Sequence, residues 1–214
     1  MIERYIYFII LLFTSSNLVA SNIEKLKMPN GFEISIYAHE LVFPRQIAQS
    51  DKGYVFIGSK ASKSNNGRII ALIDNDKDGY AEERITVAEG LDFPTGVSIN
   101  NGNLYFSEID KIWVIKNIED WLDTKSVNLP VKELVTDNLP SETWHGYKYI
   151  DFGPDNNIYV SVGAPCNVCI EPQKKDKRLG AIHKYNNGEL TLIAEGVRNS
   201  VGFDWNPQNK KLYF

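Results

Sequence analysis

Several residue types are scarce in this sequence, and each scarcity removes a class of function. The 214 residues hold only two cysteines, Cys166 and Cys169 in Pro-Cys-Asn-Val-Cys. That spacing suits redox or metal chemistry, but there is no second pair to complete a four-ligand zinc site, and no His follows Cys169 to attach haem. A local disulfide pinning this loop is the expectation in an oxidising compartment, with thiol exchange as the alternative. Charge of one sign does not dominate, since 23 Lys plus Arg face 27 Asp plus Glu for a formal −4. The basic residues are scattered without a stripe, so no nucleic-acid partner is indicated. Long apolar runs are missing too. The one candidate, residues 5–13, is too short for an ordinary spanning helix of about 20 residues. With Arg4 before it and small residues around Ala20-Ser21 after it, residues 1–20 read as a secretory signal. The protein is expected to be periplasmic or secreted.

Helical periodicity is nearly absent, with only residues 118–122 hinting at a helix. What recurs instead is a hairpin. Residues 31–37 alternate polar and apolar side chains and predict a first strand. Residues 40–59 then give a Leu-x-x-Pro lead, a short strand, an Asp51-Lys52-Gly53 turn and a strand over 54–58, with another strand at 67–74. The pattern returns at 90–108, where Asn100-Asn101-Gly102 forms the turn ahead of a strand over 111–116. It returns again at 138–163, turning at Gly153-Pro154-Asp155-Asn156, and once more at 196–214. Leu41, Leu91, Leu139 and Val197 mark the phase, at steps of 50, 48 and 58 residues. The last step is lengthened by the cysteine-bearing insert.

A repeat of about 50 residues built from short strands and Gly/Asn turns predicts an all-β protein, a β-propeller of four-stranded antiparallel blades. Three and a half to four blades are present over residues 21–214. A ring needs about 4–8, so the chain reads as a propeller truncated at its C-terminus, poorly stable and inactive by itself.

Loops leading into the inner strands of a propeller converge near its axis. Here they carry Arg45-Gln46, Thr95-Gly96, Trp144-His145 and Arg198-Asn199, which predicts a small-molecule pocket at a shared mouth. His145 is of the residue type suited to proton removal near neutral pH. Arg198 stays cationic and suits stabilising charge that develops on an oxygen. Asp74, Asp76 and Asp78 lie in a Gly-terminated turn that resembles the first half of a calcium loop, but position 12 is Ile85 and the flanks are strands. A solvated turn is the competing reading, with Glu82 or Glu83 available to complete a weak site. His183 reads as structural.

The segments SETWHGYKYIDFGPDNNIYVSVGAPCNVC and GVRNSVGFDWNPQNKKLYF, with GFEISIYAHELVFPRQIA, resemble the sorbosone dehydrogenase branch of the glucose/sorbosone dehydrogenases. These are exported six-bladed propellers, and the resemblance spans about 32–214. It implies a quinone-dependent dehydrogenase acting on a sugar or sugar-derived alcohol or aldehyde, with pyrroloquinoline quinone (PQQ) as cofactor and a cytochrome or quinone as electron acceptor. His145 matches the residue that takes the substrate hydroxyl proton, and Arg198 and Asn199 match the pair that holds the quinone oxygens. The carboxylate that partners the histidine in soluble glucose dehydrogenases falls at Ala164, a departure from the pattern. Calcium ligands of the family would lie beyond Phe214. A non-catalytic propeller that binds carbohydrate or protein is the alternative.

Overall fold

The computed structural model describes residues 22–124, 126–168 and 171–214. The expected signal over 1–20 and Cys169 lie outside the described residues. The chain divides into two compact units, Met1–Ser35 and Ile36–Phe214. In the first, the described part holds a short 3-10 turn, Asn22–Lys25, and a turn closed by Phe32 N donating to Pro29 O.

The second unit is built from antiparallel sheets. Strands β1 (Pro44–Gln49), β2 (Val55–Ser59), β3 (Arg68–Ile73) and β4 (Glu83–Glu89) form the first, in that order. The second sheet is β5 (Val97–Asn100), β6 (Asn103–Ser107), β7 (Ile112–Ile115) and β8 (Glu133–Thr136). The third is β9 (Ile150–Phe152), β10 (Ile158–Val162), β11 (Ala181–Asn186) and β12 (Glu189–Glu195). A fourth begins with β13 (Asp204–Trp205) and β14 (Leu212–Tyr213). Helix α1 (Ile118–Asp123) falls where the helical hint lay, and a short α2 (Glu171–Lys175) follows the cysteine loop. Three complete four-stranded meanders and the start of a fourth are the expected blades.

One expectation fails. Residues 32–40 form no strand, and Phe32 and Ile34 are exposed. Alternation makes a strand only where a neighbour offers a ladder. The fourth strand of the first blade is β4, which pairs along β3 from Arg68↔Glu89 to Ile73↔Glu83.

Local chemistry explains the reversals. Asn101 and Gly102 both take positive φ (50° and 72°) between the paired Asn100 and Asn103, the geometry of a two-residue hairpin turn that matches strand twist. The β9–β10 turn is closed by Gly153 N to Asn157 O and Asn156 N to Gly153 O, each 2.9 Å. Apolar faces of successive sheets bury against each other. Phe56, Ile69 and Val87 of the first pack with Leu104, Phe106, Ile115 and the α1 residues Ile118 and Leu122. Ile112, Leu139, Ile150, Val160, Val162 and Leu179 fill the next seam. At about 25 cal/mol per Å², these seams hold blade to blade.

The inner strands β1, β5 and β9 lie together, and one side chain ties them. Gln46 Oε1 accepts from Val97 N (3.2 Å) and Ile150 N (3.3 Å), while its Nε2 donates to Ile150 O (2.7 Å). Ser98 Oγ donates to Asp151 Oδ1 (2.7 Å), and the turns themselves join through Asn100 Nδ2 to Asn156 Oδ1 (3.0 Å).

Candidate functional site

A cavity of about 490 Å³ opens where the inner strands begin, lined by Arg45, Gln46, Thr95, Lys148, Tyr149 and Val201, among others. Repeat geometry explains this set. Gly96 N donates to Ser107 Oγ and Ser107 N to Gly96 O; in the next blade Tyr149 N donates to Ser161 Oγ and Ser161 N to Tyr149 O. Lys148-Tyr149 therefore occupies the place of Thr95-Gly96, where the sequence reading put Trp144-His145. In the fourth copy, Trp205 N capped by Asp204 Oδ1 repeats Phe152 N capped by Asp151 Oδ1, which brings Val201 to the cavity wall. Gly96 is required there, since a Cβ would lie 2.6 Å from Ser107 Oγ and 2.7 Å from Lys148 O.

His145 and Arg198 belong together, one step earlier on their loops. His145 is half-buried in a left-handed conformation, φ 50°. Its Nδ1 lies 2.7 Å from Ala164 O, and Ala164 N donates to Arg198 O at 2.7 Å. One residue, Ala164, thus bridges the histidine to the loop carrying Arg198. A carbonyl oxygen only accepts, so Nδ1 carries a proton and Nε2 is the ring nitrogen left to act as a base. Gly163 makes the fit possible, because a Cβ there would sit 2.4 Å from His145 O and 2.5 Å from His145 Cβ. Arg198 is exposed, with Nη1 donating to Asn167 Oδ1 at 2.9 Å, and Asn199 is half-buried. Trp144 is exposed and packs edge-on to His145.

Sequence reasoning missed Lys148. Its side chain is 2% exposed, and its Nζ donates to Gly146 O at 2.6 Å. Burial pulls its pKa down to about 8, against an upward influence from Glu142 and Asp110. Burial also pushes the Tyr149 phenol up to about 12, reinforced by Asp151 and Asp204. The same burial raises Asp151, with Ser98 and the Phe152 amide acting the other way. Only the correct phasing of the third repeat could have singled out Lys148 from sequence.

The acidic turn is folded on itself. Gly79 N donates to Asp74 Oδ2, Asp78 N to Asp76 Oδ1, Tyr80 N to Asp78 Oδ1 and Asn75 N to Glu82 Oε2. Carboxylate oxygens of Asp74, Asp76, Asp78 and Glu82 lie within 4.8 Å of one another. Cys166 is disulfide-bonded. His183 is 3% exposed in β11, opposite Val160, with Nε2 at 3.0 Å from Arg178 O; burial lowers its pKa. Among the described residues no helix is long and apolar enough to cross a membrane.

Three solved structures share this architecture. They are an AA12-family carbohydrate-active enzyme of Trichoderma reesei (TM-score 0.71, 21% identity, 86% of this chain and 48% of that one), the PQQ domain of pyranose dehydrogenase from Coprinopsis cinerea (0.68, 16%, 84% and 45%), and the PQQ-bound aldose sugar dehydrogenase of Streptomyces coelicolor (0.62, 17%, 84% and 57%). The fold is thus the one seen in propeller sugar dehydrogenases, and at these identities the likeness is one of fold. The chain itself belongs to the family described as a domain of unknown function, DUF7133, which matches residues 19–213. An uncharacterized protein of Borreliella burgdorferi is 32% identical over 214 residues, covering 96% of this chain and 53% of its own length. The chain spans about half the length of that relative.

Proposed function

We propose that this chain carries the histidine and arginine of an exported, quinone-dependent dehydrogenase that oxidises a sugar-like alcohol or hydrated aldehyde. The observation that carries the reading is the His145–Ala164–Arg198 bridge. It ties an oriented base to the backbone of the loop that carries Arg198. The fold of the PQQ-containing relatives and the signal-like residues 1–20 support the reading as well.

The residues suit PQQ, a planar quinone that carries carboxylates. Arg198 keeps guanidinium donors beyond its single bond to Asn167, and Asn199 adds an amide. Bound there, the quinone supplies a two-electron acceptor for hydride. The chain's own groups do the rest. Nε2 of His145 takes the substrate hydroxyl proton as the adjacent C–H electron pair departs, and Ala164 O steadies the imidazolium that results. Arg198 offsets negative charge that develops on the acceptor oxygen. A cytochrome or a second quinone would take the electrons from the reduced group.

Replacing His145 with Ala in the intact protein should leave PQQ binding unchanged and cut dye-coupled turnover at least about a hundredfold. Turnover near the wild-type value would remove His145 as the base, and a propeller that binds carbohydrate or protein without redox chemistry would then be the better reading.

A further inference from the structure

Two cations, Arg45 and Lys148, line the cavity without a counter-ion, and a third, Lys60, shares the ring of the lining residue Tyr147. Arg45 and Lys60 both lie over the Tyr147 ring, 5.9 and 5.3 Å from its centroid. Both are exposed, and among the described residues neither side chain makes an ion pair or a hydrogen bond. Lys148, next in sequence to Tyr147, buries its ammonium with a single acceptor, Gly146 O. Five other cations, Lys52, Lys111, Lys116, Arg178 and Lys184, each close an ion pair with an Asp or Glu; what sets Arg45 and Lys148 apart is their place in the wall of a cavity. No Asp or Glu lines the cavity. The carboxylates nearest in effect are Glu142 and Asp110, which act on Lys148 through space, and Asp151 and Asp204, which act on Tyr149. Of these, Asp151 Oδ1 is engaged by Ser98 and the Phe152 amide.

Uncompensated positive charge around an aromatic face, in a cavity within the roughly 300–1,000 Å³ of small-ligand sites, is a receptor for an anion. Planar guanidinium and ammonium donors favour carboxylate. We propose that Arg45, Lys60 and Lys148 receive the carboxylate of the substrate, so that the substrate class of this site is a uronic acid rather than a neutral sugar. The inference rests on the dehydrogenase reading and deepens it. Arg198 and Asn199, the residues assigned to the quinone, are not among those lining the cavity, whereas Arg45 and Lys148 are. Arg45 and Lys60 supply the reachable donors, and Lys148 supplies buried charge behind the wall. With the anomeric hydroxyl at His145, oxidation would balance as for any aldose: the hydroxyl proton would pass to His145, a bound quinone would accept the anomeric C–H electron pair as hydride, and the C=O of a lactone would form.

The test is calorimetric titration of the intact protein with D-glucuronate and with D-glucose, in the wild type, in Arg45→Met, Lys60→Met and their double variant, and in Lys148→Met. PQQ is titrated separately into each. Glucuronate should bind at least about tenfold more tightly than glucose, and the double variant should abolish that preference while changing PQQ affinity less than about twofold. Equal binding of the two sugars would overturn the proposal, as would a preference that survives the double variant. A loss of PQQ affinity without a loss of glucuronate affinity would overturn it too, because the carboxylate received would then be the cofactor's. The quinone reading fails separately, by absence of PQQ binding to the wild type, and the comparison of the two sugars stays readable in that case.

Discussion

Gln46 is one neutral side chain that joins three inner strands, and replacing it by Leu tests the blade arrangement directly. The substitution removes three hydrogen bonds at once and leaves Val97 N, Ile150 N and Ile150 O without their partner. Val97 and Ile150 are both fully buried. An unsatisfied buried group costs about 1–3 kcal/mol. The two amide bonds are long, at 3.2 and 3.3 Å, and water in the adjacent cavity can replace part of what is lost. A net loss of about 2–4 kcal/mol results, equivalent to a drop in Tm of about 10 °C for a unit of this size. Gln46→Glu keeps an acceptor for both amides but turns a carboxylate oxygen towards Ile150 O, so it should be nearly as damaging. Thermal melts followed by circular dichroism, wild type beside both variants, make the measurement. A drop below about 2 °C for Leu would refute the view that one amide bolts three inner strands together.

Further expectations concern single residues. Lys148→Met should stabilise the protein near pH 7 by up to about 3 kcal/mol, because a pKa pulled down from 10.5 to about 8 by burial measures what keeping the ammonium charged costs. The unfolded chain holds that proton more tightly, so wild-type stability should rise between pH 8 and 10.5 relative to the variant, and parallel melts at the two ends of that window would expose an error. His183 is a buried base with a lowered pKa; its neutral form is stable above the unfolded value of 6.5, and stability should fall as pH drops below it. His183→Gln should flatten the Tm profile from pH 7 to 5, and an unchanged slope would assign the acid sensitivity elsewhere. Gly163→Ala forces a methyl against His145 and should cost roughly 2 kcal/mol and most of the turnover; normal values for both would show the loop to be looser than described. Asp76→Asn relieves repulsion among four crowded carboxylates while keeping the acceptor for Asp78 N. In chelator it should be neutral or slightly stabilising, and destabilisation seen only with added calcium would reveal a bound cation.

Much of the architecture was legible because propeller blades are written locally. Asn101-Gly102 and Gly153-Pro154-Asp155-Asn156 fix the reversals through their own backbone preferences, and the recurrence of these turns gives the repeat. What a strand pairs with is not local, which is why residues 31–37 carry a strand pattern without a ladder while β4 was passed over. Phasing failed at the third blade for a related reason. Phe43-Pro44 and Phe93-Pro94 announce the first two inner strands, but the third has no such Phe-Pro, and the conspicuous Trp144-His145 drew the alignment forward from Lys148-Tyr149. His145 and Arg198 kept their relation to each other because the same offset applies to both. The cavity chemistry was hidden, since a lysine in sequence shows neither its burial nor the lack of a carboxylate beside it.

The account turns on whether this site holds a quinone, and titration of PQQ into the intact protein with fluorescence quenching as the readout is the most direct test. Saturable binding at one equivalent, weakened at least about tenfold by Arg198→Ala and untouched by His145→Ala, is the predicted result. Quenching that does not saturate, or saturation indifferent to Arg198, would contradict it.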